Sequence, residues 1–230
     1  MFFPFYDFSI VIIIPALLVV FWAQAKVKST FNKYLKVRNK NGYTGAQVAR
    51  DILNKNGLGD IDVVQTKGEL SDHYDPKQKV VRLSSEVYNG QSIASVGVAA
   101  HETGHAIQHD TNYAPLGFRN AIFPIANFGS RLGLPLALFG FFFFRSQNII
   151  LIGIVLYIAA VLFQVATLPV EFNASSRAMS ILEEGGYLQS DEIKPTKKVL
   201  NAAALTYVAA TLAAIAQLIR LLVLFGASDD

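Results

Sequence analysis

The sequence has no cysteine, one tryptophan, two methionines and four histidines in 230 residues. Without cysteine there is no disulfide and no thiolate metal site, so any metal must be held by histidine and carboxylate. Charge is scarce too. Asp, Glu, Lys and Arg make up 16% of the chain, where soluble domains carry about 25%. A net charge of +3 is too small to point to nucleic acid. These shortages exclude a disordered chain, a collagen and a disulfide-stapled secreted module, and they argue against an ordinary soluble globule.

What fills the sequence instead is hydrocarbon: 52% of residues are hydrophobic, seventeen of them Phe, and the mean hydropathy is +0.36. Phe8 to Ala25 is the first apolar run, about 27 Å long as a helix. Ala23-Gln24-Ala25 resembles a signal-peptidase site, but nothing basic precedes the run, which is read as an uncleaved anchor. Ile149 to Pro169 and Ala202 to Phe225 are two further spans. Phe123 to Phe144 is the weakest, because it contains Pro124, Pro135, several glycines and Arg131. The expected fold is therefore mainly α, a multi-pass membrane protein with about four spans, as one membrane-embedded domain over 1–230.

Residues 26–40 hold Lys26, Lys28, Lys33, Lys36, Arg38 and Lys40 without an acid. Basic residues next to a span favour the cytoplasmic side. Four spans then put the amino terminus outside, 26–122 and 170–201 in the cytoplasm, and the tail after Phe225 outside. Within the first cytoplasmic segment, 41–91 has the pattern of a small α/β portion. Thr44 followed by Gln47 predicts a capping box and Gly57 a left-handed stop, bounding a helix over 45–56. Ile61–Gln65 and Lys79–Leu83 have the composition of strands, with turn signals at Lys67-Gly68 and Asp75-Pro76.

His101-Glu102-Thr103-Gly104-His105 is an HExxH pattern on a predicted helix. Four residues are about one turn, so both imidazoles share a face and can bind one zinc ion. Glu102 is placed to act as general base on a metal-activated water, and Gly104 lets neighbouring structure approach the helix. Chance would produce the pattern about 0.002 times in a chain of this composition. Catalytic zinc takes three protein ligands. His109 lies a further turn along the helix and His73 is remote, so a carboxylate is the better third ligand. Glu171 is the candidate, two residues after Pro169, which signals the first turn of a new helix. Two crossings separate His105 from Glu171, which returns both to the cytoplasmic side. Glu86, Glu183 and Glu184 are weaker rivals.

Charge developing on a scissile carbonyl oxygen calls for a second electrophile. Arg177 is the favoured residue, with His109 and Tyr113 as alternatives. Zinc proteases commonly align an extended peptide along a sheet edge. The strand Lys79–Leu83 is the candidate edge, with His73 and Tyr74 shaping the groove. A hairpin packed on the HExxH helix is the alternative.

In HETGHAIQH and VEFNASSRA, with DHYDP, VRLSSEVY and ASVGVAAHETGHAIQH, the sequence resembles the YugP-like neutral zinc metallopeptidases of bacterial membranes. The resemblance covers most of the chain. That family is similar in layout to the larger membrane gluzincins, which pair HExxH with a third ligand in a later E-x-x-x-D motif. The resemblance implies a zincin-like portion with one Zn²⁺ per chain. His101, His105 and Glu171 match the ligands and Glu102 the base. At the motif's fifth position Ser175 stands in place of the acid that braces a ligand histidine, so Ser175 or Asn173 would accept that N–H more weakly.

The expected function is a zinc-dependent endopeptidase of the bacterial cell membrane, working at the cytoplasmic face. Its partners would be the bilayer and a polypeptide substrate, from membrane or unfolded proteins. The alternative is a zinc-binding scaffold or transporter without proteolytic activity.

Overall fold

The computed structural model describes residues 8–226. Among them the chain forms seven α-helices and three strands. In order these are α1 (Ile13–Leu35), α2 (Gly45–Lys55), β1 (Asp62–Thr66), β2 (His73–Asp75), β3 (Val80–Ser84), α3 (Ser85–Tyr88), α4 (Ile93–Asp110), α5 (Ala114–Phe139), α6 (Gln147–Glu184) and α7 (Ser190–Gly226). A π-type turn, Gly140–Phe144, extends α5. The described chain separates into two compact units, one of residues 8–24, 117–169 and 206–226, the other of 25–116 and 170–205.

The first unit holds the apolar parts of four helices long and apolar enough to cross a membrane: Ser9–Leu35, Ala114–Phe144, Gln147–Glu184 and Ser190–Gly226. Its surface carries Phe21, Ile125 and Phe143 at 65%, 61% and 72% exposure. Water would penalise such side chains, whereas lipid tails solvate them. Between α5 and α6 the packing relies on small residues. Gly129 abuts the Leu156 carbonyl, and a side chain on Gly133 would meet the Gly153 oxygen at 2.9 Å. Both Pro124 and Pro135 lie inside α5. A proline removes one helical hydrogen bond but does not end a helix held by lipid and neighbouring helices. The weakest span of the sequence is thus a helix that begins at Ala114.

The second unit contains the sheet and the HExxH helix. Thr44 and Gln47 form both halves of the capping box of α2, and Gly57 follows the helix at φ +76°. Val48, Ala49, Ile52 and Leu53 of α2 join Val81 and Leu83 of β3, Ile93 to Ala100 of α4 and Ala178 and Leu182 of α6 in one buried core. The sheet order is β1-β3-β2, with β1 parallel and β2 antiparallel to β3.

Two expectations need correction here. The strand around Lys79–Leu83 is central rather than an edge, because the short strand His73–Asp75 pairs on its other side. Pro169 starts no helix: it lies inside α6, which continues through Glu171 to Glu184 because Val170, Ala174, Ala178 and Leu182 form a buried stripe. The basic run after the first span begins within α1, which continues to Leu35 with Phe31 and Tyr34 buried.

Candidate metal centre

Ser92 caps α4 by accepting from the Ser95 amide at 3.0 Å. Small buried residues from Ala94 to Ala100 let neighbouring helices come close, and Gly97 lies against Thr196 of α7. Two turns after Gly97, α6 crosses α4 at Gly104, where a Cβ would stand 2.9 Å from the Ala174 carbonyl oxygen. The crossing brings His101 and His105 of α4 to Glu171 of α6.

Glu171 Oε2 lies 3.4 Å from His101 Nε2 and 3.6 Å from His105 Nε2. The three donor atoms all fall within 4.8 Å of one another. Donors bound about 2.0–2.1 Å from a tetrahedral ion stand roughly 3.3 Å apart. The two distances are therefore long for hydrogen bonds and close to those of ligands around one ion. Two imidazoles and a carboxylate are also a donor set that zinc accepts, with a fourth position left for water. The residues present fit the metal.

Each histidine is held from behind at Nδ1. Ser175 Oγ lies 3.1 Å from His101 Nδ1, and Gln108 Oε1 lies 3.0 Å from His105 Nδ1. Asn173 is one bond further away. Its Oδ1 accepts from Gln108 Nε2 at 2.9 Å and from Arg177 Nε at 2.8 Å. Gln108, absent from the sequence-derived set, is fully buried and also donates to the Val170 carbonyl at 2.8 Å. An amide three residues after His105, one turn along the same face, is the signal that marks it.

Glu102 is buried beside the two imidazoles. Burial pushes its carboxyl above the usual carboxylate range; His101 and His105 oppose that rise, while Glu171 and Asp72 add to it. His105 moves upward as well. Burial favours its neutral form, but Glu171, Glu102 and Gln108 outweigh burial and stabilise the imidazolium.

The remaining candidates are held by contacts of their own. Tyr74 Oη lies 3.2 Å from His109 Nδ1, joining β2 to the last turn of α4. His73 is exposed, with Nδ1 2.8 Å from the Ser71 carbonyl. Tyr113, partly buried, donates its backbone N–H to the Gln108 carbonyl at 2.9 Å. Asp72 accepts from the Ser84 backbone and hydroxyl at 2.7 and 3.1 Å, fixing the start of β2 against the end of β3.

Residues 9–226 match the protein family described as "Putative neutral zinc metallopeptidase". The chain is 51% identical over 212 residues to the "Putative membrane protease YugP" of Bacillus subtilis (strain 168), covering 92% of this chain and 94% of that relative. No solved structure matches the chain significantly.

Proposed function

The chain belongs to the neutral zinc metallopeptidase family, and from that premise we propose that it is a zinc-dependent membrane endopeptidase with His101, His105 and Glu171 as its zinc ligands. The convergence of three donor atoms from α4 and α6 carries the proposal. One such set among the described residues supports one zinc per chain.

Bound zinc supplies Lewis acidity, lowering the pKa of water and polarising a carbonyl. Glu102 takes a proton from the attacking water as the water oxygen bonds to the scissile carbonyl carbon. It then delivers that proton to the leaving nitrogen as the C–N bond breaks, giving a carboxylate and an amine. Ser175 and Asn173 orient the centre from behind. Arg177, His109 and Tyr113 remain the candidates for stabilising charge on the carbonyl oxygen, and Arg177 brings a permanent cation tied to the ligand-bearing helix.

The substrate is an extended polypeptide. β2 pairs with β3 on one side only, leaving an edge to which a peptide can add backbone hydrogen bonds, next to His73 and Tyr74. The centre works at the cytoplasmic membrane face. This orientation rests on the exposed Lys26, Lys28, Lys33, Lys36, Arg38 and Lys40, which belong to the same unit as the centre. Residues 1–230 act as one metallopeptidase domain, a reading supported by a family match that extends through both units.

Zinc content and hydrolysis of an unfolded protein should be measured on wild type and Glu102→Gln, both purified in detergent. Zinc should be retained while hydrolysis falls by about 10²–10⁴-fold. Equal hydrolysis by both would remove Glu102 from the reaction, and hydrolysis undiminished by zinc removal would overturn the proposal.

A further inference from the structure

We infer that Gln108 is the positioning residue for His105: its amide fixes which nitrogen of that ring faces the metal and ties the ring to the backbone beside Glu171. The inference rests on the zinc centre proposed above, but its argument concerns the hydrogen bonds behind that centre.

A primary amide has one oxygen that accepts and one nitrogen that donates twice. At Gln108 all of these are engaged inside the protein. The nitrogen lies 2.8 Å from the Val170 carbonyl and 2.9 Å from Asn173 Oδ1, and the oxygen lies 3.0 Å from His105 Nδ1. Which end of the amide points which way is determined by its partners. A backbone carbonyl only accepts, so Val170 requires the nitrogen. Arg177 Nε only donates, at 2.8 Å, so Asn173 must present its oxygen there, and that oxygen again requires the Gln108 nitrogen. Two fixed ends, one acceptor and one donor, give the same orientation.

The Gln108 oxygen therefore faces His105, and an oxygen that only accepts demands a hydrogen on Nδ1. A neutral imidazole has a single N–H, so Nε2 is left with a lone pair, and Nε2 is the atom 3.6 Å from Glu171 Oε2. His101 has no equivalent device. Its neighbour Ser175 is a hydroxyl that donates or accepts as it rotates, and so selects no tautomer alone. Gln108 also grips the peptide unit preceding Glu171. One side chain thus sets two ligands, from separate parts of the sequence, relative to each other.

The test is zinc affinity, measured by chelator competition on the full-length protein in detergent, for wild type, Gln108→Met and Gln108→Glu. Methionine keeps the length and apolar bulk without the amide, and should weaken zinc binding about 10–100-fold. Glutamate keeps an oxygen against His105 Nδ1, and its second oxygen, when protonated, donates to Val170 while the bond to Asn173 is lost; it should bind zinc more weakly than wild type but more tightly than the methionine variant. Melting of the zinc-free proteins accompanies these measurements, because a purely structural residue would lower melting and leave zinc affinity unchanged. A methionine variant with wild-type affinity, or a glutamate variant as weak as the methionine one, overturns the inference. Should the methionine variant not fold, nitrogen-15 histidine spectra of zinc-loaded wild type decide: a protonated, slowly exchanging His105 Nδ1 supports the inference and an unprotonated one overturns it. A wild type without zinc affinity would instead defeat the centre itself.

Discussion

Glu102 and His105 stand one turn apart on α4, and burial acts on them in opposite senses, since it disfavours the charged form of each. For Glu102 that raises the pKa from 4.5, while for His105 neighbouring carboxylates overcome burial and raise it from 6.5. Both groups therefore bind protons more readily folded than unfolded. In the zinc-free protein their contribution to stability is present at low pH and declines as pH rises through the raised values. Zinc must displace the His105 proton. Calorimetry over a pH series, each in two buffers of different ionisation enthalpy, should therefore detect proton release on zinc binding that grows as pH falls, with affinity falling alongside. Binding without proton release would show that His105 is already neutral.

At the scale of elements, the centre depends on how closely α4 and α6 cross. Gly104→Ala should gain up to about 1 kcal/mol from helix propensity. The added carbon, however, would stand 2.9 Å from a backbone oxygen that cannot rotate away. Overpacking of that kind costs about 1–3 kcal/mol, so melting should fall and zinc affinity should weaken with it; a variant more stable than wild type would mean that the helices separate freely. Local signals made much of this region legible in the sequence. The HExxH spacing, the Thr44–Gln47 box and the Gly57 stop each depend on residues within a turn of one another. Glu171 stands out in the sequence as a carboxylate after a span, but Pro169 does not start its helix, because it sits within one held by tertiary packing. β2 has three residues and exists through its pairing with β3, so turn signals at Asp75-Pro76 concealed it. Gln108 escaped because its importance lies in partners on α6, more than sixty residues away.

For the molecule as a whole, low charge and long apolar runs made four crossings legible, and the four long helices agree in number. Their ends were not legible, since α1, α6 and α7 continue as helix beyond the hydrocarbon-like stretch into the unit that holds the centre. Orientation rests on the basic residues after the first span. A reporter fused after Asp230 should appear outside the cell, and a cytoplasmic signal would mean that the weak Phe123–Phe144 span does not cross or that the orientation is reversed. Membrane helices in such a chain do more than anchor it: residues 25–116 and 170–205 form one compact unit although the apolar segment 117–169 separates them in sequence. The proposed metal centre draws on both sides of that interruption, on Glu171 as well as the HExxH helix. The most direct measurement is zinc per chain by mass spectrometry at limiting free zinc, for wild type and Glu171→Gln. One zinc in the wild type and a large loss of occupancy in the variant is the expected result; full occupancy in both would contradict a centre built from His101, His105 and Glu171.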